Sequence, residues 1–183
     1  MPLRKKIINN IAIVLFVTMA VIMACSQEPK NKSVEINDSI EEALINANKH
    51  VLKTEDRQII DYLARYNIAA EKTATGVRYL IYQKGNGTQI TKDHVVTIKY
   101  TLKSLAGDVL YSSDKQGNKT FKMGKGEVEA GLEEVLLLMK NGEKAKVVIP
   151  SYMAWGLTGD GDKIPPKATL VYDLEIINSI INK

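Results

Sequence analysis

From residue 128 onward, Val128, Leu132, Val135, Leu136 and Met139 recur at helical spacing, which lays five apolar side chains along one stripe of an α-helix. Glu129, Glu133 and Lys140 fall off the stripe, and Asn141-Gly142 predicts where the helix stops, because glycine accepts the left-handed turn past a last helical residue. The period then changes to two. Ala145, Val147 and Ile149 alternate with Lys144, Lys146 and Val148, so a strand with one wholly apolar face is expected, ended by Pro150. An amphipathic helix feeding a half-buried strand needs a sheet to cover its stripe. Further alternating runs supply that sheet: residues 77–82, residues 94–105 with Val96, Ile98, Tyr100 and Leu102 on one face, residues 109–112 after the turn Ala106-Gly107-Asp108, a short piece at 120–123, and residues 168–177. The predicted class is α+β, with an antiparallel sheet of five to six strands wrapped over one central helix and occupying residues 73–183.

Upstream the pattern predicts two short helices in residues 38–72. Ser39-Ile40-Glu41-Glu42 reads as a capping box, followed by a stripe of Ile40, Leu44, Ala47 and Val51. A second start at Thr54, with Glu55 and Asp56 at its positive end, leads a stripe of Ile59, Ile60, Leu63 and Tyr66. Two readings of this helical arm stand: it packs on the following domain, or it is an arm through which the chain dimerises or meets a partner. Residues 25–37 are nearly free of apolar side chains and read as a polar tether. Fully extended, a dozen residues reach roughly 40 Å.

Residues 1–24 carry a charged Arg4-Lys5-Lys6 head, an apolar run and a small residue at the end, the build of a secretory signal peptide, with an uncleaved signal anchor as the alternative reading. Cys25 follows at once and is the only cysteine of the chain, so it has no internal disulfide partner. A free thiol and an intermolecular bridge are two readings of it. Ile22-Met23-Ala24-Cys25 also resembles the lipobox of bacterial lipoproteins. That resemblance implies acylation of Cys25 and a place in the cell envelope, lipid-anchored to a bacterial membrane and facing the periplasm or the cell surface.

Composition changes the picture little. The chain has 183 residues, 45% of them apolar, enough to fill a core. The net charge of +4 invites a nucleic-acid reading. Three of the 25 basic residues lie in the leader, however, which leaves the rest only one ahead of the 21 acidic ones, so no nucleic-acid partner is expected. Candidate catalytic groups are few. His50 on a predicted helix surface and His94 at a strand start fit neither metal-ligand nor triad spacing and are read as solvated. Asp160-Gly161-Asp162 lacks the rest of a calcium ladder, and Gly85-Asn86-Gly87 and Gly124-Lys125-Gly126 are too short for a phosphate cradle. No metal and no cofactor is expected. Aromatic and aliphatic side chains near turns are what the chain does offer.

Five stretches carry a resemblance. Ile98-Lys99-Tyr100-Thr101, Phe121-Lys122-Met123-Gly124, Gly131-Leu132-Glu133-Glu134, Ala154-Trp155-Gly156 and the run Ile164-Pro165-Pro166-Lys167-Ala168-Thr169-Leu170-Val171-Tyr172 resemble an FK506-binding-protein-type peptidyl-prolyl isomerase domain over residues 74–178. With its leader and helical arm, the whole chain resembles the gliding-motility-associated isomerase lipoproteins of Bacteroidetes-type bacteria. The resemblance implies a shallow apolar bowl that seats a proline ring, so proline-containing polypeptides are the expected partners. It gives Tyr100, Val128, Ile164 and Tyr172 to the wall of that bowl and the Glu129 N–H to the substrate carbonyl, and Phe121, in the second stretch, is counted with the substrate-binding residues.

At other positions the chain departs from the pattern. Glu129 stands where an aliphatic residue is usual, and Trp155 stands where the family has a tyrosine whose hydroxyl binds substrate, leaving the indole N–H as the expected donor. Leu132 replaces a floor tryptophan, Leu110 an aromatic wall, and Tyr111 an aspartate found in many active members. The implied activity is cis-trans isomerisation of X-Pro bonds, aiding the folding of exported or envelope proteins. The reading from another class is a non-catalytic binding module of an envelope machine that grips proline-containing segments.

Overall fold

The structure is a computed structural model that describes residues 32–181. Residues 1–24 and Cys25, to which the signal peptide and the acylation site were assigned, lie outside the described residues. The described residues divide into two units, with the boundary between Asn48 and Lys49.

In place of two short helices there is one, α1 (Lys32–Arg65), 34 residues long. Its sequence contains neither glycine nor proline, so nothing interrupts the hydrogen-bond ladder at the expected break. Thr54, expected as a cap, sits within the helix and donates its hydroxyl to the His50 carbonyl 2.9 Å away. The helix also takes in residues 32–37 of the expected tether. It ends on Asn67, whose φ of 50° is left-handed. The Ile68 N–H reaches the Leu63 carbonyl at 2.9 Å and the Asn67 N–H the Ala64 carbonyl at 3.2 Å, which together satisfy carbonyls that a helix end leaves unpaired. In residues 40–48, Ile40, Leu44 and Ile45 are exposed.

Seven strands among the described residues form one antiparallel sheet: β1 (Glu71–Lys72), β2 (Arg78–Gln83), β3 (His94–Ser104), β4 (Val109–Ser112), β5 (Lys119–Lys122), β6 (Lys144–Ile149) and β7 (Leu170–Ile181). Their order is β1-β2-β6-β7-β3-β4, with β5 also paired to β3. Two-residue β1 escaped sequence reading, as did the single turn α2 (Ser113–Gln116) and the 3₁₀ turn Ser151–Met153, because elements this short carry no periodicity. The predicted central helix is α3 (Ala130–Leu136). It buries Leu132, Val135 and Leu136 completely, with Val128 and Met139 buried on either side of it. It stops earlier than Asn141-Gly142 because the Gln89 side-chain amide donates to the carbonyls of Leu137 and Met139, at 2.7 and 2.8 Å, and the chain leaves toward a bridge between Gln89 and Lys140. Gly131 lets α3 approach the sheet. A Cβ there would lie 2.5 Å from Ile149 Cγ2, closer than carbon atoms pack.

The sheet has two apolar faces of unequal size. On the α3 face, Val96, Ile98 and Leu102 of β3, Ala145 and Val147 of β6, and Leu170, Tyr172, Leu174 and Ile176 of β7 join the helix in one core. On the opposite face Val148 and Val171 pack with Ile59 of α1, flanked by Tyr62 and Leu63. Residues 49–65 therefore belong to the domain, whose compact unit begins at Lys49 rather than near Thr73. The burying face of α1 is Ile59, Tyr62 and Leu63, whereas Ile60 and Tyr66 of the expected stripe are half-exposed.

Polar side chains pin the same contact. The buried Glu55 carboxylate accepts from the Ser151 N–H at 2.6 Å, the Ser151 hydroxyl at 3.1 Å and the Thr169 hydroxyl at 2.6 Å. Asp56 pairs with buried Arg78 at 2.5 Å. Burial pushes the Asp56 carboxyl up, but the Arg78 hydrogen bond and charge outweigh it and hold the group below its ordinary value. The stabilisation from this pair is present above the ordinary carboxylate range and is lost as the pH falls through the lowered value.

Candidate active site

A break midway along one edge of β3 makes the site possible. β5 pairs with Val95 to Ile98 of β3 and β4 with Thr101 to Lys103, so at Lys99 and Tyr100 that edge has no strand partner. α2 fills the gap, and the Tyr100 N–H donates to the Ser113 hydroxyl at 2.9 Å. Beside this break opens a cavity of about 220 Å³ lined by Tyr100, Leu102, Tyr111, Gln116, Lys119, Glu129, Trp155, Asp160, Ile164 and Tyr172.

Six residues chosen from sequence thus come together: Tyr100, Tyr111, Glu129, Trp155, Ile164 and Tyr172. The Tyr100 and Tyr172 rings meet at 6.0 Å between centroids, tilted by 47°. The other four stand behind the wall. Phe121, Val128 and Leu132 are buried in the core and Leu110 packs half-buried against it. These four shape the bowl from beneath rather than lining it.

Glu129 is the unusual member. It precedes α3 but its carboxylate caps no helix N–H. It is 93% buried, and its Oε1 accepts both the Trp155 indole N–H, at 3.0 Å, and the Tyr172 hydroxyl, at 2.9 Å. The indole N–H expected to serve a substrate is therefore already engaged, because a buried carboxylate recruits the nearest donors. Among the described residues Glu129 Oε2 has no partner. The charge is felt by its neighbours. Burial and then the Glu129 carboxylate push the Tyr172 hydroxyl well above its ordinary value, and the same two causes raise Tyr100.

Four lining residues were missed by sequence reasoning: Leu102, Gln116, Lys119 and Asp160. Asp160 was weighed only as part of a calcium motif. In the structure its Oδ1 accepts the N–H groups of Asp162 and Ile164, at 2.9 and 2.8 Å, and its Oδ2 accepts the Tyr111 hydroxyl at 2.5 Å. Burial opposes but these bonds outweigh it, and the Asp160 carboxyl lies below its ordinary value. The Tyr111 hydroxyl is pushed up to about 12, chiefly by that hydrogen bond. A carboxylate thus stands beside the cavity from the loop, although strand position 111 carries a tyrosine. Gly159 allows the loop to fold this way, since a Cβ there would meet the Ile164 carbonyl. Asp114, nearer in sequence, is exposed and lies 3.6 Å from Lys99. His94, expected to be solvated, is buried, with Nδ1 2.8 Å from the Thr91 hydroxyl, so it does structural duty under a turn.

Residues 86–177 match the sequence profile of the family described as FKBP-type peptidyl-prolyl cis-trans isomerase. The chain is 41% identical over 106 residues to the probable FKBP-type peptidyl-prolyl cis-trans isomerase FkpA of Neisseria meningitidis serogroup B, a match covering 57% of this chain and 38% of that protein. It is 37% identical over 103 residues to FK506-binding protein 1 of Dictyostelium discoideum, covering 56% of this chain and 96% of the relative. A crystal structure of a peptidyl-prolyl cis-trans isomerase from Pseudomonas syringae superposes with a TM-score of 0.61 at 26% identity, over 72% of this chain and 94% of that one. Sheet and central helix are arranged as in a proline-bond isomerase domain. The chain belongs to the FKBP-type peptidyl-prolyl cis-trans isomerase family.

Proposed function

We propose that this chain isomerises X-Pro bonds in exported or envelope polypeptides while held on a bacterial membrane by lipid at Cys25. The observation that carries the activity is the cavity walled by Tyr100, Trp155, Ile164 and Tyr172 at the broken edge of β3. Rotation about an X-Pro bond is slow because the planar amide is stabilised by resonance, with a barrier of roughly 20 kcal/mol. The twisted amide is less polar than the planar one. A seat that strips water from the proline ring therefore favours the twisted form, and the Glu129 N–H is assigned to hold the substrate carbonyl part-way round. No nucleophile is needed, in keeping with the groups at hand.

Folding of exported chains waits on such bonds for tens of seconds, which gives a membrane-held isomerase its task. The likeness of the whole chain to gliding-motility-associated isomerase lipoproteins makes components of such an apparatus the proposed clients. The half-exposed Ile40, Leu44 and Val51, on one stripe of α1, support dimerisation of two copies through the arm. A second reading, a module that grips proline segments without turnover, is favoured by the engagement of the Trp155 N–H with Glu129.

A proline-limited refolding assay decides between them. Acceleration of the slow phase at catalytic concentrations is expected. Binding of the unfolded client with an unchanged slow phase gives the case to the gripping module. Cys25→Ser should leave an unprocessed precursor that takes up no labelled fatty acid. Undiminished labelling removes the lipoprotein claim.

A further inference from the structure

A carboxylate is an odd lining for a seat that takes an uncharged ring. Glu129 is 93% buried, lines the cavity and leaves Oε2 without a hydrogen-bond partner, while two neutral donors crowd onto Oε1. A buried carboxylate is costly unless paired, and a cation with N–H groups is its strongest partner. Asp160 adds a second carboxylate to the lining, and Asp162 Oδ2 lies 3.3 Å from the Tyr111 hydroxyl at the same rim. Against these stands Lys119 in the lining, while Lys163 lies over the Tyr111 ring at 5.0 Å. Among the described residues neither Glu129 nor Asp160 is in an ion pair. The lining also holds Tyr100, Tyr111, Trp155 and Tyr172, whose ring faces attract cations.

We propose that the bowl selects X-Pro segments in which X is lysine or arginine, the cationic side chain pairing with Glu129 as the principal specificity residue and with Asp160 at the rim. The inference rests on the isomerase reading for its seat, and it names the substrate class of that seat. X is the residue whose carbonyl belongs to the rotating bond, so its side chain enters beside the proline ring. A glutamate in the same place would face two like charges.

The test uses the purified chain and a peptide set differing only in X: Lys, Arg, Leu and Glu. Isomerisation is read as kcat/KM, and affinity as the change in fluorescence of Trp155, the only tryptophan. Lys-Pro and Arg-Pro are expected to exceed Leu-Pro by about tenfold or more, the size of one charge-assisted hydrogen bond, with Glu-Pro lowest. In Glu129→Gln the Lys-to-Glu ratio should fall by about tenfold, and in Asp160→Asn by less. The comparison across peptides on the unaltered chain stands even where a variant does not fold. Equal values for Lys-Pro, Leu-Pro and Glu-Pro overturn the inference, as does a ratio that a well-folded Glu129→Gln leaves untouched. Peptides bound in the order Lys, Leu, Glu but turned over by none would keep the selectivity and remove the isomerase.

Discussion

Replacement of Trp155 by alanine should lower turnover of an X-Pro peptide on the order of a hundredfold, the loss that follows when a reacting group is displaced by about 1 Å. Stability should fall by no more than about 1 kcal/mol, the range of substitutions outside the core. The contrast follows from the position of the side chain. It is 44% exposed, so it contributes little to the core, yet it walls the cavity and holds Glu129 through its indole N–H. Without it, water enters the seat, and Glu129 Oε1 keeps only the Tyr172 hydroxyl. Peptide isomerisation and urea unfolding measured on the same preparation check both halves. Wild-type turnover in Trp155→Ala would mean that the proline ring sits elsewhere.

The second large effect concerns the helix that the domain borrows. A fragment of residues 49–183 should match the full-length domain in urea. A fragment of residues 73–183 should still unfold cooperatively, because the main core lies wholly between Val77 and Ile176. It should, however, be less stable by about 3 to 6 kcal/mol. Loss of Ile59 uncovers Val148 and Val171, and burial of one such aliphatic side chain is worth about 1.5–3 kcal/mol. The Ser151 N–H and Thr169 hydroxyl lose Glu55, and Arg78 loses Asp56; water reaches all three once α1 is gone, so each lost bond costs about 0.5–1 kcal/mol. Coincident midpoints for the two fragments would show that α1 contributes nothing. Sedimentation of the full chain beside fragment 49–183 tests the arm: removal of residues 1–48 should convert a dimer to a monomer.

Where each element begins was legible in the sequence wherever a single period ran long enough. Val96, Ile98 and Leu102, or Leu170, Tyr172, Leu174 and Ile176, could only be one face of a strand, and the observed burial follows them. The stripe of α3 likewise needed nothing beyond its own spacing, and so the antiparallel sheet over one helix was determined before any contact was known. The second buried face, with Val148 and Val171 out of phase with that alternation, was not read from the sequence. Its cover could not be read either, since that requires Ile59 to arrive from some ninety residues upstream of Val148. The run of α1 through Thr54 was misread for a related reason. A capping residue is also a tolerable interior residue once its hydroxyl can bond to the preceding turn.

The site divides in the same way. Tyr100, Trp155, Ile164 and Tyr172 could be singled out because aromatic and aliphatic residues beside turns in that order resemble a known wall, and the fold assembles them. Which of the chosen residues face the cavity was decided by the fold, which turned Phe121, Val128 and Leu132 into the core. Only tertiary structure could also bring Glu129 against Trp155 and Tyr172, separated from it by 26 and 43 residues, or Asp160 to Tyr111 across 49. Local pattern reports how a residue lies on its own element, through the 3.6 and 2.0 periods of the backbone. The charge inside the bowl depends instead on which elements meet, and that is settled by sheet order, by the break in β3 and by the glycine-permitted turn of the loop before Ile164.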